Sequence, residues 1–80
     1  MSDITLDASG LTCPMPLLKT KLALNAMKPD EELEVIATDA GSARDIPAFL
    51  KLSSHQLVST SESDGCYRFV IRCGQPAAGS

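Results

Sequence analysis

The sequence predicts an α+β fold. The expected form is a two-layer α/β sandwich ordered strand, helix, strand, helix, strand, strand, with a mixed four-stranded sheet and two helices on one face. Three observations lead there. Short runs with apolar residues at alternate positions recur near residues 4–8, 33–38, 57–63 and 66–73. Two stretches rich in helix formers separate the first three runs. Asp64-Gly65 separates the last two, a strong hairpin signal.

Each element has its own justification. Ile4, Leu6 and Ala8 alternate with Thr5, Asp7 and Ser9, which reads as a half-buried strand ended by Gly10. Pro14 is favoured as a first helical residue, and good helix formers follow from Met15 to Lys28 until Pro29-Asp30 stops them. Leu18, Leu22 and Ala26, with Met15 nearby, form the expected apolar stripe of this helix. Leu33 to Thr38 reads as an inner strand with both faces partly covered.

Asp39-Ala40-Gly41-Ser42 is turn and cap chemistry, and Ser42 to Asp45 resembles a capping box. Pro47 removes a helical hydrogen bond, so the second helix is expected to begin nearer Asp45. Ile46, Phe49, Leu50 and Leu52 or Ser53 supply its apolar face. Leu57 to Ser63 and Cys66 to Cys73 form the hairpin, with Tyr67, Phe69 and Ile71 on one face. Residues 1–74 are expected to form one domain, and residues 75–80, which lack periodicity, a flexible tail.

Composition narrows the function classes. With 44% hydrophobic and 21% charged residues at a net charge of −3, the chain is too apolar for a disordered segment. Apolar runs grow no longer than Leu22-Ala23-Leu24, and residues 1–12 show no secretory pattern, so neither a membrane partner nor export is expected, and the localisation read is cytoplasmic. Seven basic residues against ten acidic ones leave no basic footprint for direct nucleic-acid binding. Three cysteines without C-x-x-C spacing and a lone His55 make no plausible metal set, and the cysteines are expected to be reduced. His55 reads as a solvated loop residue, and Asp30, Glu31, Glu32 and Glu34 as a solvated acidic turn.

The stretch that carries chemistry is Gly10-Leu11-Thr12-Cys13-Pro14-Met15-Pro16. A thiol just before a helix meets the positive end of the helix dipole, so the thiolate of Cys13 is expected to be favoured. Pro14 and Pro16 lack N–H groups and weaken that cradle, but they preform the first turn. Lys19 follows within two turns and adds positive potential. Arg44 and Asp45 read first as a cap with a solvated ion pair, and second as a partner contact beside Cys13. Cys66 and Cys73 read as structural, facing opposite sides of the sheet.

With Cys13-Pro14-Met15-Pro16 preceded by Asp7 to Leu11, with Arg44-Asp45-Ile46-Pro47 at the second helix and Tyr67-Arg68-Phe69 in the last strand, the chain resembles the TusA, or SirA-like, family of sulfur carriers. The resemblance runs from about Thr5 to Arg72. It implies that Cys13 accepts persulfide sulfur from a cysteine desulfurase and hands it to an acceptor protein, as in tRNA 2-thiouridine or molybdenum-cofactor pathways. It implies a sulfur-relay carrier rather than an autonomous enzyme, without a bound cofactor of its own. Family members tied to tRNA thiolation often carry Glu between the two prolines. Met15 removes that charge and should favour the thiolate slightly.

The residues also permit other readings. A thiol redox sensor would need oxidation of Cys13 and an intermolecular resolving thiol. A regulatory interaction module would keep its activity without Cys13. RNA binding on the sheet is disfavoured by charge and by scarce aromatics. A monomer is expected, because the assigned core leaves no apolar stripe exposed.

Overall fold

The computed structural model describes residues 3–74. Its elements are β1 (Ile4–Ala8), α1 (Met15–Ala26), β2 (Glu32–Ala37), α2 (Ala40–Lys51), β3 (Gln56–Ser63) and β4 (Cys66–Arg72). The sheet order is β1-β2-β4-β3. β1 runs parallel to β2, with Ile4 opposite Leu33 and Ala8 opposite Ala37. β4 is antiparallel to both β2 and β3. The α+β sandwich with a mixed sheet is therefore the fold.

β2 is an inner strand, as its mixed pattern predicts. Leu33, Val35 and Ala37 are fully buried, while Glu32, Glu34 and Ile36 are half-buried on the other face. Phe69 and Ile71 of β4 share the buried face. Leu24 and Met27 from α1 and its end, and Ile46 and Leu50 from α2, pack against them. One core thus lies between the two helices and one face of the sheet. The hairpin turn has Asp64 and Gly65 both at positive φ, 52° and 77°, the conformation that makes Asp-Gly favourable there.

The opposite face carries charge rather than helices. Arg68 Nε lies 2.9 Å from Glu34 and Arg72 3.5 Å from Glu32. This corrects the solvated acidic turn. Only Asp30 and Glu31 belong to the turn, where Asp30 N–H donates to the Cys73 carbonyl and Cys73 N–H to that of Glu31. Glu32 and Glu34 belong to β2.

The helices depart from expectation in face and start. In α1 the buried residues are Pro16, Thr20 and Leu24, whereas Met15, Leu18 and Leu22 are 42%, 44% and 68% exposed and Ala26 is exposed. Thr20 is accepted in the interior because its hydroxyl donates to the Pro16 carbonyl at 2.8 Å. The helix ends at Ala26, two residues before Lys28, and Pro14 is its N-cap rather than its first residue. An apolar stripe does remain on the surface, which removes the premise behind the expected monomer.

α2 begins at Ala40, five residues before Asp45, because Asp39 caps it by accepting from Ser42 N–H at 2.8 Å. Pro47 is carried inside this helix. Leu52, 92% exposed, does not join its apolar face.

His55 is not a solvated loop residue. It is half-buried, and its Nδ1 accepts from Gly74 N–H at 2.9 Å. That bond requires a neutral ring, and burial pushes the imidazole below its ordinary value. A depressed folded-state value contributes stability above the unfolded value and loses it as pH falls. The melting temperature should therefore drop between pH 7.5 and about 5.5, the window just around the free imidazole value. In His55→Gln that part of the drop should disappear, and thermal melts at the two pH values test it. The flexible tail expected at residues 75–80 lies outside the described residues. Among the described residues no helix is long and apolar enough to cross a membrane.

Candidate functional site

The Cys13 loop joins β1 to α1 and is pinned at several points. Gly10, at φ 79°, ends β1 in a conformation that suits glycine. Its N–H donates to Thr38 Oγ1 at 2.9 Å, and Leu11 N–H returns to the Ala8 carbonyl. Asp7 closes the entry by accepting from the Ser9 hydroxyl and N–H, which hold its carboxyl below the usual carboxylate range. The loop thus leans on the segment that leads from β2 into α2.

That segment supplies the groups around the sulfur. Asp39 accepts from the backbone N–H of Ser42 at 2.8 Å and from its hydroxyl at 3.1 Å, and the backbone N–H groups of Cys13 and Gly41 also act on its carboxyl. These donors, the Ser42 N–H foremost, hold its carboxyl low. One side chain therefore caps α2 close beside the Cys13 backbone. At Gly41 the two segments lie side by side: a Cβ there would lie 3.1 Å from Asp39 Oδ2, tight against that side chain, and 3.7 Å from Cys13 Cβ, an ordinary contact.

Cys13 is exposed, and its Sγ–H donates to Asp45 Oδ2 at 3.3 Å. This hydrogen bond chiefly, with slight desolvation and the charges of Asp45 and Asp39, pushes the thiol above its ordinary value. The expected thiolate-favouring site is thereby corrected. The nearest free N–H of the helix start, Met15 N–H, is spent on the Thr12 carbonyl at 2.9 Å and does not cradle the sulfur. The group that contacts the sulfur is a carboxylate, and a second carboxylate, Asp39, acts on it through charge.

The other site residues separate in role. Asp45 joins Cys13, although no local signal in the sequence connects positions 32 residues apart. Arg44 is exposed and neither caps α2 nor pairs with Asp45; the ion pairs among the described residues are Arg68–Glu34 and Arg72–Glu32. Lys19 is exposed and is not among the groups acting on the thiol. Pro14 and Pro16 flank Met15, with Pro16 buried as a packing residue and Pro14 exposed. Asp39 and Gly41 were readable only as cap and turn residues. Cys73 is buried, its Sγ–H pointing to the Leu24 carbonyl at 3.5 Å. Burial pushes its thiol up.

A concavity lies elsewhere. About 780 Å³ opens between the far ends of the helices, lined by residues including Leu24, Met27, Phe49 and His55. Cys13 instead sits on an open surface, where a small molecule would find little enclosure and another protein could reach the sulfur. No group of three or more potential metal ligands forms among the described residues.

The family profile described as Sulfurtransferase TusA matches residues 4–73. The chain belongs to the TusA family. It is 47% identical over 70 residues to the sulfur carrier protein TusA of Allochromatium vinosum, covering 88% of this chain and 92% of that one. A crystallographically solved SirA-like protein of Desulfitobacterium hafniense is similar in fold, with a TM-score of 0.78 at 26% identity over 90% of this chain and 99% of that one. Membership of the TusA family supports a sulfur-carrier role with donor and acceptor partners.

Proposed function

We propose that the protein carries sulfur as a persulfide on Cys13, taking it from a cysteine desulfurase and passing it to an acceptor protein in the cytoplasm. Thiouridine formation in tRNA and molybdenum-cofactor assembly are the candidate destinations. The observation that carries this reading is the exposed Cys13 thiol at the Cys-Pro-Met-Pro turn of a TusA-family chain.

The step is a thiol exchange. Cys13 sulfur attacks the outer sulfur of a donor persulfide, the donor S–S bond breaks, and the donor leaves as a thiol carrying the proton. Cys13–SH and R–S–SH become Cys13–S–SH and R–SH, with no external oxidant consumed. The pinned loop presents the sulfur at a fixed place. Met15, Leu18 and Leu22 run from it along α1 and supply apolar surface for a protein partner.

Intact-protein mass after incubation with a cysteine desulfurase and L-cysteine tests the proposal. The wild type should gain one sulfur atom, removable by reductant, and Cys13→Ser should gain none. Equal gain in both would move the reactive thiol to Cys66 or Cys73, and no gain in either would remove the desulfurase as donor.

A further inference from the structure

Among the described residues, Asp45 is the side chain that hydrogen-bonds the Cys13 sulfur. It arrives from α2, whereas the sulfur sits at the start of α1. The charged groups facing the thiol are Asp45 itself and Asp39, which precedes α2. Asp39 is committed to the N–H and hydroxyl of Ser42. Among the described residues, neither Lys19 of α1 nor Arg44 of α2 enters an ion pair.

We infer that Asp45 is a positioning residue that biases sulfur transfer toward release: it holds the empty Cys13 as a hydrogen-bonded thiol and loses that bond, meeting an anion instead, once sulfur is loaded. The inference rests on the carrier reading above and extends it to the equilibrium of loading.

The atoms make the argument. In the empty carrier, Sγ–H donates to Asp45 Oδ2 at 3.3 Å. On loading, Sγ forms a bond to the donor's outer sulfur, the donor S–S bond breaks, and the Cys13 proton leaves on the donor thiol. Sγ then carries no hydrogen, so the bond to Asp45 has no donor. The new outer sulfur lies about 2 Å from Sγ. It therefore remains within roughly 5.5 Å of the same carboxylate oxygen, from the sum of that bond and the 3.3 Å contact. A hydropersulfide is a stronger acid than its parent thiol, so this outer sulfur is an anion at neutral pH. The carboxylate that favours the empty form therefore disfavours the loaded one. Onward transfer restores the thiol and the hydrogen bond.

Two measurements on wild type, Asp45→Asn and Asp45→Ala test this. The first is the pH profile of iodoacetamide alkylation at Cys13, followed by peptide mass spectrometry. The midpoint should fall in both variants, and alkylation at pH 7 should rise about two- to fivefold, the range of an exposed charged contact. The second is the loaded fraction of Cys13 at equilibrium with glutathione persulfide and glutathione at a fixed ratio. The loaded-to-empty ratio should rise by a similar two- to fivefold factor in Asp45→Asn. Coincident alkylation profiles would overturn the contact, and an unchanged or lower loaded ratio would overturn the bias toward release. If neither wild type nor variant takes up sulfur, the carrier reading falls together with the loaded half of this inference. The alkylation profile, which needs no persulfide, then separates that failure from loss of the Asp45 contact.

Discussion

Leu24→Ala should destabilise the protein by about 2–5 kcal/mol, while Leu22→Ala should stay within about 0.5 kcal/mol. The two leucines are two residues apart on one helix and are indistinguishable by type. Leu24 is 2% exposed and belongs to the core with Met27, Leu33, Ile46 and Phe69, whereas Leu22 is 68% exposed. Truncation at position 24 opens a cavity under a rigid sheet. At position 22 it removes surface that water already covers. Urea unfolding at neutral pH measures both, and equal costs would mean that α1 buries the stripe of Leu18 and Leu22 instead.

Phe69→Ala should be the most damaging single truncation, costing about 3–5 kcal/mol. Phe69 is the largest fully enclosed side chain and lies on β4, which pairs with β2 on one side and β3 on the other. A domain of 80 residues has roughly 4–12 kcal/mol in total, at the usual stability per residue. The variant should therefore unfold at far lower urea than wild type, or be partly unfolded without urea. A shift in midpoint as small as that of Leu22→Ala would show that the core does not centre on this ring.

These two substitutions also mark where the sequence was legible. β4 alternates cleanly, so the inward side of Phe69 and Ile71 follows from a period of two. α1 does not: Leu17, Leu18, Leu22, Ala23 and Leu24 place apolar residues around most of its circumference, and helical periodicity then selects no face. The face is set by Pro16 and Thr20, and Thr20 is acceptable inside only because the Pro16 carbonyl accepts its hydroxyl. At the start of α2, Pro47 argues against an early beginning, while the Asp39 bond to Ser42 N–H fixes one.

The site was legible in the same uneven way. Cys13 stood out through its local motif. Its electrostatics did not, because the macrodipole argument sees only residues near in sequence, whereas Asp45 reaches the sulfur from the other helix. A carboxylate in direct hydrogen-bonding contact outweighs a helix end whose first N–H is already bonded to Thr12.

The strand pairing has a practical corollary. β1 starts opposite Leu33 and β4 ends opposite Glu32, so both ends of the described chain leave at the same rim of the sheet. Cys13 follows Ala8, at the other rim. A tether, affinity handle or second folded unit grafted beyond either end would hang from the pole opposite the sulfur. Such a graft leaves the thiol facing outward, so the domain can be joined to a larger polypeptide or fixed to a surface with its reactive end still open.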